Sequence, residues 1–189
     1  QENFDIYGTG ESAYPPCWDK INNHPTEMPI ISTYYYSAPG SLYFLAGSQG
    51  TRNIAITPEF DTSIVMNNLQ VSFMYAATSI NDKLVVGVMS DPEDDNTFVP
   101  VDTVYPSSLS ASYWIERDVY LSNYQGDGRY IAFKNEASSY AAFSYMDSLV
   151  IDVMPSCLKP RDLTAISNSS SVTLSWTETG SASAWEIEY

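Results

Sequence analysis

Apolar and aromatic side chains recur at every second position through most of this chain, and no window of about 12 residues or more keeps a helical repeat free of Gly or Pro. Such alternation puts successive side chains on opposite faces of an extended backbone, so one face can be buried and the other left in water. The segments that read as strands are residues 2–6, 41–46, 53–57, 69–76, 83–89, 98–104, 114–121, 129–134 and 148–154. Between them lie turn-forming clusters, among them Ala38-Pro39-Gly40, Asn81-Asp82, Ser90-Asp91-Pro92 and Gly126-Asp127-Gly128. Short, evenly spaced strands with polar turns predict an all-β protein of two packed antiparallel sheets, and a jelly-roll sandwich is the simplest such arrangement.

The 189 residues are enough for one sizeable core and part of a second. A net charge of −15 with 8 Lys and Arg argues against nucleic acid, whose phosphates need clustered cations, and against an anionic membrane surface. No run of about 18 apolar residues is present to span a bilayer. The opening residues, Gln1-Glu2-Asn3-Phe4, have neither the basic n-region nor the apolar h-region of an export signal. The chain therefore reads as a mature segment, secreted or held at the cell surface in association with an outer membrane. Its two cysteines, Cys17 and Cys157, lie too far apart for a CxxC motif. As a disulfide they would close most of the first domain, a cross-link worth about 4–5 kcal/mol in loop-entropy terms. The alternative is two small buried thiols.

The stretch Pro155-Ser156-Cys157-Leu158-Lys159-Pro160 breaks the alternation, because prolines so close together cannot sit in a central strand. It reads as a short, stiff linker after a first domain of residues 1–157. In residues 158–189, the runs 162–166, 171–176 and 184–189 give three further alternating strands. They resemble the first strands of a fibronectin type III domain, with Trp176 in the place of that family's buried tryptophan. A partial sandwich leaves open edges and an unburied face, so this segment is expected to be truncated or packed against a neighbour.

Catalysis fares poorly on inventory. The single histidine, His24, excludes a two-histidine metal site, and no Gly-x-Ser-x-Gly elbow frames a serine. With 23 Asp and Glu, some carboxylate pair will always meet the spacing a glycosidase needs, so abundance carries no signal. The run from Asp91 to Asn96 lacks the spacing of an EF-hand loop and reads as a solvated turn. Position matters more for two acids on the terminal strands. Strict alternation places Glu2 on the inward face shared with Phe4, and Asp147 at the inward-facing mouth of the strand that buries Leu149 and Ile151. Two such carboxylates repel unless a cation or a shared proton lies between them, and calcium is the hard cation that oxygen ligands favour. The plain alternative is ordinary edge-of-strand acids in water.

Aromatics make up 14% of the chain against 16% charged residues, a balance suited to a β-protein that meets polar ligands. Sugar recognition wants flat, exposed rings beside amides and carboxylates, because pyranose C–H faces stack on aromatics while hydroxyls take hydrogen bonds. The candidate rings are Tyr34 and Tyr36 of the Tyr34-Tyr35-Tyr36 triplet, Tyr113 and Tyr140; Trp18 and Trp114 read better as core or cross-strand packing.

Several stretches come in the order seen in one family: Asn3-Phe4-Asp5, Pro16-Cys17-Trp18, the segment 37–44, Ile56-Thr57-Pro58-Glu59-Phe60-Asp61, the segment 86–92 and the segment 146–152. Residues 1–157 resemble the cleaved-adhesin or choice-of-anchor jelly-roll modules of Gram-negative gut and oral bacteria, and more distantly MAM domains. The resemblance implies a non-catalytic module in a larger surface or secreted protein, acting in adhesion, in carbohydrate binding or as an accessory to a degradative enzyme. It also implies a structural calcium at Glu2 and Asp147, with Asp5 and Asp152 as further ligands. Expected partners are a glycan or a host cell-surface protein, together with neighbouring domains of the same chain. The competing classes are a structural spacer and a hydrolase domain.

Overall fold

In a computed structural model that describes residues 1–10, 13–24, 26, 28–46, 50–107, 112–136 and 143–188, the chain divides into two compact units, Gln1–Val153 and Met154–Tyr189. Two antiparallel five-stranded sheets make up the first unit. In spatial order, one (sheet A) holds β1 (Asp19–Asn22), β4 (Arg52–Ile56), β9 (Tyr130–Glu136), β6 (Leu84–Met89) and β7 (Val99–Val104). The other (sheet B) holds β2 (Pro29–Ser32), β3 (Ser41–Phe44), β10 (Ser144–Val153), β5 (Leu69–Ala77) and β8 (Ile115–Tyr120). Most connections carry the chain from one sheet to the other, as in a jelly-roll sandwich.

The alternation read from the sequence packs the space between the sheets. On β5, Leu69, Val71, Phe73, Tyr75 and Ala77 point inward, and they meet Leu84, Val86 and Val88 of β6 and Ile131 and Phe133 of β9. Burying each large apolar side chain contributes roughly 1.5–3 kcal/mol, which is why register is firmly set here: a one-residue slip would turn the whole row outward. β6 is buried on both faces, because a second cluster of Ile54, Ile56, Met89 and Ala132 forms on the far side of sheet A beneath Ile21, Phe98 and Tyr130. Gly87 lies where β6 shifts register against β7; a Cβ there would stand 2.6 Å from both the Val99 carbonyl oxygen and the Phe98 ring.

Three expectations are corrected. Residues 2–6 do not form a strand: Glu2 makes one antiparallel bridge to Leu149, and Phe4 then takes a left-handed φ of 60°, turning the chain away while its ring is fully buried. Second, β1 and β2 were not anticipated, since both are four residues long and lie in polar or proline-bearing sequence. Third, Cys17 and Cys157 are each exposed, one in the turn before β1 with a φ of 68° and one in the bend that follows β10, so they are not a pair of buried thiols.

The second unit is a hairpin of β11 (Arg161–Ser167) and β12 (Val172–Thr177), closed by a turn in which Asn168 Oδ1 accepts the Ser170 and Ser171 amides. The third strand expected over 184–189 is absent from its described residues. Trp185 instead packs edge-on against Trp176 at 5.3 Å, and its Nε1 donates to Glu178, so side-chain contacts take the place of a backbone ladder. Leu163 and Ile166 are left exposed.

Candidate binding face and terminal-strand acids

The outer face of sheet B carries a cluster of aromatic rings. Because Leu42 and Phe44 of β3 and Ser144 and Met146 of β10 point into the core, Tyr43 and Tyr145 must point out, and these two are direct cross-strand partners. Their rings stack 4.8 Å apart at 9°, with Phe143 edge-on to Tyr43 at 5.7 Å. Tyr34 lies over Tyr145 at 4.7 Å. Trp114, just before β8, stacks on Tyr34 at 5.4 Å, and Tyr36 tilts towards Trp114 at 6.2 Å. Burial is the main cause that pushes the hydroxyls of Tyr43 and Tyr145 above the usual tyrosine range; Tyr145 adds to it at Tyr43, while at Tyr145 the charge of Tyr34 adds and the Tyr43 hydrogen bond opposes.

The loop that brings Tyr34 and Tyr36 here is tied at each step. Ser32 Oγ accepts the Tyr34 amide at 3.0 Å, Ser41 Oγ donates to the Tyr34 carbonyl at 2.5 Å, and the Tyr34 hydroxyl donates to Ser112 O at 2.7 Å. Asp147 Oδ2 accepts the amides of Tyr36 (2.9 Å) and Ser37 (2.8 Å), and Asp5 Oδ1 accepts the amide of Gly40. Rings held this way lose little further freedom on binding. Tyr34 remains 40% exposed and Tyr36 55%, so part of each ring is open to a ligand. Tyr113 is more exposed still, at 60%, and makes no ring contact among the described residues; it stands beside the cluster rather than within it. Tyr140 lies outside the described residues. Tyr43, Tyr145 and Phe143 were missed from sequence, although the outward position of Tyr43 between Leu42 and Phe44 was there to be read.

Trp114 therefore belongs to the surface cluster. Trp18, by contrast, packs against the core, between Phe4 at 5.8 Å and Phe133 at 6.3 Å. A recess of about 370 Å³ beside it, lined by Glu2, Glu59, Phe60 and Leu149 among others, offers no comparable stack of open rings.

Of the four acids expected at a metal site, Asp5 and Asp147 act on each other, and Glu2 lies on a segment that bridges the middle of β10. The bridge between Glu2 and Leu149 places the first segment beside the last strand, with both backbone bonds at 2.7 Å. Glu2 accepts the Phe4 amide and, at 2.6 Å, the Tyr7 hydroxyl. Asp147 is fully buried, yet not on the inward face: it registers with outward-facing Met74 because a bulge follows it, with Ser148 at φ 51° as the extra residue. The 34–40 loop, not the core, covers its carboxylate. Burial raises the Asp147 pKa first, Asp5 adds to it as a second negative charge, and the amides of Ser37, Ser148 and Tyr36 oppose both. Among the described residues no cationic side chain acts on it. Asp152 is separated from this group: it is exposed and five positions along an extended strand, about 15 Å away.

These residues fit a hard cation in part. Asp5 and Asp147 form an acidic pair; Asp147 Oδ2 already accepts two amides, so the lone pairs left for a cation lie on Asp147 Oδ1 and on Asp5. Among the described residues no three His, Cys, Asp or Glu side chains come together as a metal cluster, so the six to eight oxygens that calcium takes would have to include backbone carbonyls.

No protein-family model and no curated protein sequence matches this chain. Solved structures do. The K2 cleaved adhesin domain of Lys-gingipain aligns with a TM-score of 0.63 at 17% identity, over 81% of this chain and 98% of that one. The K1 cleaved adhesin domain of Lys-gingipain from Porphyromonas gingivalis W83 gives 0.62 at 18%, over 82% and 97%. TmCBM61, solved in complex with β-1,4-galactotriose, gives 0.51 at 9%, over 82% and 100%. The fold is the adhesin-like β-sandwich.

Proposed function

We propose that the first unit is a non-catalytic binding module, working outside the cell, whose ligand is a glycan seated on the ring cluster of sheet B. The observation that carries this reading is the arrangement of Tyr34, Tyr36 and Trp114: partly open aromatic faces, the two tyrosines on a loop tied by hydrogen bonds, above a floor of Tyr43 and Tyr145. Rings of this kind stack on the C–H faces of sugars, and nearby hydroxyls and carboxylates take the sugar hydroxyls. A shared fold with a galactotriose-bound structure is consistent with such a site. The test is a glycan array probed with the intact chain and with Trp114→Ala and Tyr36→Ala. Truncating a central ring should cost about 2 kcal/mol, close to thirtyfold in Kd. A blank array with correctly folded protein would favour a protein partner or a spacer role.

A structural calcium bound through Asp5 and Asp147, with Glu2 as a further ligand drawn in from the same segment as Asp5, is the companion reading. The buried Asp147 next to Asp5, with no cationic side chain among the described residues acting on it, favours it. A cation there would lock the first segment, the bulge of β10 and the 34–40 loop together. EDTA should lower the melting temperature and added calcium restore it; an unchanged melt with no metal by elemental analysis would remove the idea.

A further inference from the structure

The glycan reading above concerns the rings; the polar half of the same face bears on which glycans can lie there, and this inference rests on that reading. Register pairing assigns the outward positions of sheet B beyond the rings: Gln70 and Ser72 on β5, Glu116 and Asp118 on β8, and Asp152 on β10. Asp118 accepts a hydrogen bond from Ser72 across the strands. The five strands of this sheet carry a single cationic residue, Arg117, and it lies on the other face, opposite inward-facing Phe73, with its guanidinium donating to the Tyr105 carbonyl at 2.7 Å. No Lys or Arg occurs in the ring-bearing segments 33–37 and 112–114. From Trp114 to Asp118, a ring and two acids follow at alternate positions, a strip about 14 Å long at about 3.4 Å per residue; Tyr120, next in the row, is buried.

We infer that this face selects an uncharged, extended oligosaccharide and rejects chains bearing uronate, sialate or sulfate groups. The strip is long enough for more than one sugar unit, its carboxylates and the Gln70 amide accept from and donate to neutral hydroxyls, and like charges brought together across an interface are strongly unfavourable. The overall charge of −15 repels anionic chains at longer range as well.

The experiment is an array printed with neutral oligosaccharides beside their sialylated, sulfated and uronate-bearing counterparts, probed with the full chain and with Glu116→Gln/Asp118→Asn, each checked for an intact melt. The expected result is binding confined to neutral chains, with an acidic counterpart bound at least about tenfold more weakly, and a ratio that shrinks to a few-fold in the double variant and at high salt. Strong binding to acidic chains, or a neutral-to-acidic ratio the double variant leaves unchanged, overturns the inference while leaving the ring site standing. An array blank for every chain removes the glycan reading and this inference together.

Discussion

Replacing Asp147 with Ala should loosen the binding face from beneath without touching a ring. The carboxylate accepts the amides of Tyr36, Ser37 and Ser148 at 2.9, 2.8 and 2.5 Å. A buried donor left without its acceptor costs about 1–3 kcal/mol. Two features hold the total to the low end: Tyr36 is 55% exposed, so water can reach its amide, and removing the carboxylate also removes an ionisation that burial opposes. The expected loss is about 2–3 kcal/mol, or about 4–12 °C in melting temperature for a domain of this size. Measured in chelator by thermal melts, with near-ultraviolet circular dichroism to follow the stacked rings, Asp147→Ala should show both the lower midpoint and a weaker aromatic band. Asp147→Asn should fall between, because one amide oxygen can still accept while the NH₂ group faces a donor. The sign of the pH dependence is also fixed. A raised carboxylate pKa means that the folded state holds the proton longer, so in chelator the stability from this group is full below the ordinary range near pH 4 and declines as pH rises through the raised value. Melting midpoints of both variants within 1 °C of the parent, with an unchanged aromatic band, would refute the claim that Asp147 holds the 34–40 loop.

Other outcomes follow from the same coordinates. Gly87→Ala should destabilise by about 1–3 kcal/mol in urea unfolding, since its Cβ would meet the Val99 carbonyl and the Phe98 ring at 2.6 Å. Burial raises the hydroxyls of Tyr14, Tyr43, Tyr75 and Tyr145, and burial with the Glu2 hydrogen bond pushes Tyr7 up to about 12. The unfolded chain therefore releases these protons first, so the urea midpoint should hold below about pH 10 and fall progressively above it. Both cysteines are exposed, so DTNB should titrate two thiols per reduced native chain within minutes; slow or absent reaction would contradict the structure.

The sandwich was legible because its strands are long, strongly alternating and pinned by a core: β5 falls within a residue of its expected bounds. β1, with Ile21 as its one apolar residue, carried no pattern to read; pairing with β4, not propensity, makes it a strand. Alternation also misled at Asp147, because the bulge at Ser148 breaks the period without any Gly to announce it. For the binding face, composition pointed to exposed tyrosines, and Tyr34 and Tyr36 are there. The floor was illegible, since Tyr43 and Tyr145 become partners only through the pairing of β3 with β10, a contact between distant parts of the chain. The meeting of Glu2 with the last strand was readable in advance; the separation of Asp152 from that group needed only the rise of a strand.

The ring cluster has a division of labour. Its floor is borne by two paired strands whose other faces are core, whereas Tyr34, Tyr36 and Trp114 ride on connections outside the strands. Exchange of the short 33–37 and 112–114 segments between sandwiches of this shape should thus change the open rings while the host keeps its folding cooperativity, so long as the incoming loop still offers its two amides to Asp147.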